Sequence, residues 1–325
     1  MKVPFINYPK QYGKIRLEIN GAIEDCLWRG DLILRKDVEI FEKKLAKYVG
    51  TKYAVALNSG TDALVLSLKA VGIGKGHKVA VPSHTFKATC GAVLTVGAKP
   101  VVYDMDGRFG KVDLHIPVHI AGEIAPFSND IPVIEDAAQA IGAIKNPKSM
   151  AQTWSFYPAK VLGAYGDAGA VTTNYKSIAE YVREARNHFK TDDRDFGQNS
   201  RMDNIQAAIL NVKFQYLREY LKRRNKIADM YRKLEGVELP NYSGGRVWQD
   251  YIIRTPKRDE LHCYLKKYGV ETIKNEYPFS PAYPKPPLAK KYEAETLRLP
   301  CNPDLTDEEI KYVIKKVNEF YTTQV

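Results

Sequence analysis

The run from Ile131 to Val171 constrains the fold of this chain more than any other stretch. It begins as IPVIEDAAQAIGA, an apolar segment (Ile131, Val133, Ile134) that ends in two carboxylates, Glu135 and Asp136. After a short polar spacer it continues as TWSFYPAKVLGAYGDAGAV, in which the apolar residues Trp154 to Tyr157 deliver Lys160 into a Gly-rich loop. Short apolar strands with polar groups at their C-terminal ends are where open α/β sheets build active sites. A lysine in such a place can form a Schiff base with a carbonyl. An acid at the end of a neighbouring strand can pair with a pyridinium nitrogen. Each residue alone has a plainer reading. A lone lysine beside glycines is usually a solvated charge, and Asp136 equally fits the N-cap of a helix over AAQAIGA. The ordered pair, with a phosphate site upstream, suggests pyridoxal phosphate.

The upstream site is YAVALNSG followed by Thr61-Asp62. A strand over Ala54–Leu57, a turn through Asn58, Ser59 and Gly60, and a helix running to Val71 leave free backbone N–H groups at a helix N-terminus, where an anion is favoured. A plain capped turn reads the same way, since Ser, Thr and Asp cap helices in any case. KVAVPSHTFKATC predicts a second strand, Val79–Val81, with Phe86 at its mouth, either stacked on a flat ring or packed in the core. A third strand, Pro100–Tyr103, ends at Asp104, and a fourth, Ile116–Ile120, carries His119, which by default is a satisfied core histidine. Apolar spacing predicts helices over Gln11–Leu27, Glu39–Val49, Ser177–His188, Arg201–Asn225 and Asp307–Tyr321. From Val237 the chain reads as a smaller α+β unit, with strands Asp250–Arg254 and Val270–Ile273 around a helix at Arg258–Lys267.

Length and charge bound the alternatives. The 325 residues suffice for one large core and a smaller one, divided at 1–236 and 237–325. No apolar run is long enough to span a bilayer, and MKVPFINYPK has no signal-peptide core. The four scattered cysteines form no CxxC pair and read as reduced thiols of a cytoplasmic protein, with no metal site. The net charge of +11 admits an anionic partner, either nucleic acid or a nucleotide diphosphate on a substrate. The basic residues form no block interleaved with aromatics, so most read as solvated surface.

VIEDAAQAIGA, SFYPAKVLGAYGDAGAV and NSRMDNIQAAIL, in that order and spacing, resemble the nucleotide-sugar aminotransferases of the DegT/StrS type. The resemblance extends from VPFINY to LRLPCNPDLTDEEI. It implies a fold-type I pyridoxal phosphate enzyme: a mostly parallel sheet in a large α/β/α domain, a small C-terminal α+β domain, and a homodimer with shared sites. It implies amino transfer from a donor, glutamate in the family, to a nucleotide-linked keto-sugar. Such sugars serve surface polysaccharides or secondary metabolites. Lys160 would carry the cofactor and move the proton, and Asp136 would hold the ring nitrogen protonated. Gln139 would bond the ring oxygen and Phe86 cover the ring. Gly60, Thr61 and Ser155 would hold the phosphate together with Asn199 of the second subunit. Arg201, Tyr277 and His119 would lie near substrate or cofactor. Read bare, Asn199 and Ser200 are instead helix caps.

The wording around Lys160 resembles the members that aminate C3 of the sugar more than those that aminate C4. The chain departs from the family between Asp104 and Ile134, where DMDGRFGKVDLH and AGEIAPFSND are short and turn-rich. Crossover helices are therefore expected to be missing from one face of the sheet. A histidine that family members carry after the Tyr-Pro at 277–278 is not evident either. Two alternatives remain at this level: a sugar dehydratase of the same family, which would lack the lysine, and a non-catalytic regulator binding pyridoxal phosphate or nucleic acid.

Overall fold

A computed structural model describes residues 1–191, 196–242, 245–274, 283 and 285–322. Strand β1 (Tyr53–Leu57) pairs antiparallel with β7 (Gly169–Thr173), β7 antiparallel with β6 (Ala151–Ser155), and β6 parallel with β5 (Ile134–Asp136). Strand β2 (Lys78–Pro82) lies parallel between β3 (Lys99–Tyr103) and β4 (Leu114–His115). Parallel bridges His115–Val133 and Val118–Asp136 join the two sets. The order across the sheet is thus β3-β2-β4-β5-β6-β7-β1, with β7 alone reversed. All the other strands bring their C-terminal ends to one edge. That edge carries Ser59, Phe86, Asp136 and Ser155.

Helices cover both faces, as expected for an α/β/α sandwich. On one face α2 (Lys36–Val49) and α6 (Asn204–Lys213) bury Phe41, Leu45, Ala207 and Leu210 against Trp154 and Phe156. On the other, α3 (Gly60–Ala70), α4 (Lys87–Thr95) and α5 (Lys176–Ala185) bury Leu64, Leu68, Val93 and Val182 against Val55, Val79 and Val171. The long α1 (Tyr8–Trp28) packs Ile15 and Ile19 on Ile209 and Val212 of α6. A third core gathers β8 (Tyr251–Arg254), α8 (Arg258–Lys267), β9 (Ile273–Lys274), β10 (Thr296–Leu299) and α10 (Asp307–Thr322). It also takes in Val3 and the end of α7 (Leu217–Met230), which contributes Ile227 and Ala228.

Some elements differ from the sequence expectation. The fourth strand is Leu114–His115, and Ile116–Val118 continue it irregularly, through the Ile116 N–H to the Ala80 carbonyl (2.9 Å), the Asp136 N–H to the Pro117 carbonyl (2.9 Å) and the isolated bridge Val118–Asp136. Pro117 has no N–H to extend the ladder. The predicted strand Val270–Ile273 is shortened because Val270 pairs with Val3 of the N-terminal segment. The helix predicted over 201–225 breaks at a tight turn, Phe214–Tyr216.

No α-helix occupies the connections between β3 and β5. The ring of Phe109 fills part of that space, packing on Tyr103 (5.0 Å between centroids) and His115 (4.8 Å). Among the described residues no helix is long and apolar enough to cross a membrane.

Candidate active site

Strand alternation separates the two adjacent carboxylates that end β5, because successive side chains point to opposite faces. Asp136 lines a cavity of ≈ 830 Å³ at the C-terminal edge of the sheet. Its Oδ2 accepts from Thr89 Oγ1 (2.8 Å) and its Oδ1 from the Ala138 N–H (3.2 Å). Thr89 spends its hydroxyl hydrogen on Asp136, so Thr85 donates to Thr89 (2.8 Å), completing a buried relay along the first turn of α4. No helix follows Asp136: residues 138–143 form turns, which removes the N-cap reading.

Glu135 faces the other way and binds His119 Nε2 through Oε2 (2.8 Å) and the Ser149 hydroxyl through Oε1. His119 Nδ1 accepts the Ala125 N–H (3.0 Å), so the ring hydrogen sits on Nε2 and points at Glu135. His119 is wholly buried but touches the cavity, so it is both a satisfied core histidine and part of the wall.

Lys160 enters the same cavity from the loop after β6. The loop is a tight turn in which Lys160 N–H bonds the Tyr157 carbonyl (2.8 Å). A Cβ on Gly163 would lie 2.3 Å from the Pro158 carbonyl, so no larger residue fits there. Gln249 of the third core brackets the lysine: its Oε1 takes the Val161 N–H (2.9 Å) and its Nε2 donates to the Ala159 carbonyl (3.0 Å). The buried Arg224 in turn holds the Trp248 and Gln249 carbonyls (2.9 Å each).

Burial pushes the Lys160 ammonium pKa down, while Asp250 and Asp136 oppose the shift. Burial pushes the Asp136 carboxyl up, opposed by its bonds to Thr89 and Ala138 and by the charge of Lys160. An amine shifted toward its neutral form in an enclosed cavity is the arrangement expected where proton transfer is the work.

The phosphate end is built by close approach. A Cβ on Gly169 would sit 2.2 Å from Ser59 C and 2.5 Å from Gly60 N, and one on Gly60 would sit 2.9 Å from Ser155 Cβ. Ser59 caps α3, accepting from the Asp62 N–H (3.1 Å). The N–H groups of Gly60 and Thr61 have no partner among the described residues, and both residues line the cavity with Ser155. A dianion of phosphate size fits this cradle, with the helix dipole and two open donors beside it. The cradle, the lysine and the acid together fit pyridoxal phosphate.

Of the residues singled out from sequence, Gly60, Thr61, Phe86, His119, Asp136, Gln139, Ser155 and Lys160 line this cavity. Phe86 stands at its mouth, 62% exposed. Asn199 and Arg201 lie outside the cavity of their own chain: Asn199 is exposed, and Arg201 Nη1 bonds Asn187 Oδ1 (3.0 Å). Helix α6 begins at Asn204, so neither Asn199 nor Ser200 caps it. The buried Ser200 bonds Asn58 Oδ1 instead (2.9 Å), tying this loop to the end of β1. Tyr277 lies outside the described residues.

Sequence reasoning missed Thr85, Gln249, Asp250, Lys274 and Arg298, all in the wall. The Thr85–Thr89 spacing at a helix start was a usable signal for the relay. The rest come from the third core, whose placement over the sheet edge no local motif encodes.

The chain matches the DegT/DnrJ/EryC1/StrS aminotransferase family over residues 14–318. A "Pleiotropic regulatory protein" of Geobacillus stearothermophilus is 36% identical, covering 99% of each chain. That alignment spans 370 positions against 325 residues here, so the relative has segments for which this chain has no counterpart. A dTDP-3-amino-3,4,6-trideoxy-alpha-D-glucose transaminase of Streptomyces venezuelae is 34% identical over 98% of this chain and 96% of its own. The solved structure of NtdA from Bacillus subtilis, with the bound cofactor PMP, superposes with a TM-score of 0.90 at 27% identity, over 100% of this chain and 86% of the other.

Proposed function

Because the chain belongs to the DegT/DnrJ/EryC1/StrS aminotransferase family, we propose that it moves an amino group from glutamate to C3 of a nucleotide-linked keto-sugar. It is a transaminase with pyridoxal phosphate as cofactor. The observation that carries the reading is the meeting of Lys160 and Asp136 in one cavity with the open N-terminus of α3. The nucleotide-linked sugar and the C3 position are supported by the relative named for a 3-amino dTDP-sugar.

When bound, the cofactor supplies a carbonyl carbon that takes up amines and a ring that delocalises the electron pair left at the donor carbon. The protein supplies position and protons. Gly60, Thr61 and Ser155 hold the phosphate. Asp136, fixed by Thr89 and Ala138, keeps a proton on the ring nitrogen. The Ala121 N–H occupies Gln139 Oε1, which turns the amide NH2 into the donor for the ring oxygen. Phe86 closes the mouth of the cavity over the ring. Lys160 anchors the cofactor, and once released it accepts the donor-carbon proton. Its lowered pKa favours the neutral amine that this step needs.

Asn199 and Arg201 serve the site of a second subunit, which makes the active unit a homodimer. Their position outside their own cavity supports this, as does the exposed apolar end of α1, where Trp28 is 83% exposed beside Leu27 at 54%.

The test is to incubate the holoenzyme with glutamate and paired 3-keto and 4-keto nucleotide sugars. The expected outcome is 2-oxoglutarate with a 3-amino sugar nucleotide by mass spectrometry. Product from the 4-keto series alone, or from neither, would overturn the assignment.

A further inference from the structure

The cavity wall contributed by the third core contains an ion pair to which the steps above give no role. Asp250, just before β8, and Arg298, on β10, meet at 3.2 Å with side chains 7% and 15% exposed. Both line the cavity, and both lie within electrostatic reach of Lys160. The antiparallel register of β8 and β10, with Arg298 opposite Ile252, sets them side by side.

The other cations of the wall are differently placed. Lys160 is committed to the cofactor, Lys87 is exposed at the mouth, and Lys274 pairs with Asp259 (2.7 Å). We propose that Arg298, oriented by Asp250, receives the carboxylate of the amino donor.

The inference rests on the aminotransferase reading and deepens it. An amino acid whose reacting carbon must stand beside Lys160 brings its carboxylate into the same enclosed wall. A buried carboxylate without a cation is strongly disfavoured, and a guanidinium offers the planar fork that matches it. Transamination brings a second substrate into the same space, and there a keto-sugar presents a ring with hydroxyls where the carboxylate was. An arginine with no counter-charge would then be buried unpaired, at a large cost. Asp250 removes that cost by balancing Arg298 throughout the cycle. The Asp250 carboxylate would then accept a sugar hydroxyl. One ion pair thus serves two chemically different occupants.

The test uses the holoenzyme and the variants Arg298→Gln and Arg298→Lys. Calorimetry with 2-methylglutamate, which lacks the proton to be removed, reads carboxylate binding without turnover. Rapid mixing with glutamate, and separately with the amino-sugar product, reads each half-reaction through the cofactor absorbance. Arg298→Gln is expected to weaken 2-methylglutamate by roughly thirtyfold or more. Arg298→Lys should lose less. The amino-sugar half-reaction, which brings Arg298 no carboxylate to bind, should lose clearly less than the glutamate half-reaction.

Binding of 2-methylglutamate by Arg298→Gln within threefold of the parent would overturn the inference alone. So would a loss confined to sugar nucleotides that bear a carboxylate, which would assign the pair to the sugar. If the parent enzyme responds to no amino acid, the donor reading of the enzyme fails, and this inference with it.

Discussion

Asp136 shows how a single residue's role follows from what surrounds it. A carboxylate at the end of a strand fits a helix cap equally well, and the turns after residue 136 exclude that alternative. The Thr85–Thr89 relay then fixes both its position and its direction. Asp136→Asn should keep the cofactor in place but lose more than tenfold in turnover, an effect on the barrier of at least about 1.4 kcal/mol. Thr89→Val removes only the bond that orients Asp136 and should give a smaller loss with the same sign. Steady-state rates of the two variants test this, and equal losses would mean that orientation accounts for the whole effect. At this scale the sequence was highly informative where residues lie within one motif. Asp136 with Gln139, Ser155 with Lys160, and Gly60 with Thr61 were each readable from a few neighbouring letters. Arg298 and Asp250 were not, because their meeting depends on strand register across 48 residues.

Element by element, the sheets were legible because each strand is a short apolar run closed by turn residues, and β1, β2, β3 and β8 fall within a residue of expectation, while β6 begins three residues before the apolar run at Trp154. Strand β4 was misplaced because an apolar run containing Pro117 hides where the ladder stops. The absent crossover helices were readable from segment length, but what replaces them was not. Phe109 packs there on Tyr103 and His115, and the Tyr103 hydroxyl and His115 Nε2 share a hydrogen bond (2.9 Å). Burial lowers the His115 pKa from 6.5 to about 4. The unfolded chain therefore binds more protons between those values, and stability falls as pH drops through that window, by up to about 3 kcal/mol. His115→Gln should be less stable at pH 7 yet show a shallower acid loss between pH 6.5 and 4.5 in urea titrations. An unchanged slope would mean that His115 is open to protonation in the folded state.

At the scale of the whole molecule, the single chain places Asn199 and Arg201 where its own cavity cannot use them, while its other motif residues converge. The proposed partner subunit would resolve the mismatch, and the shorter connections make this chain a stringent test of it. Asn199→Ala and Lys160→Ala homodimers should both be impaired. Mixed dimers, formed after verified subunit exchange, should regain activity, because one of the two sites then has both residues. No recovery would mean that each site is built from one chain. Trp28→Glu, at the exposed end of α1, should shift the dimer toward monomer in sedimentation.

The account depends most on Lys160 being the lysine that carries the cofactor, and that can be measured directly. The holoenzyme is treated with borohydride, which fixes the cofactor to its lysine, then digested and mapped by mass spectrometry. The cofactor mass should appear on the peptide containing Lys160 and on no other, and Lys160→Ala should fold yet show neither the adduct nor the visible band. Attachment to a different lysine, or none in a protein that has taken up pyridoxal phosphate, would contradict the account.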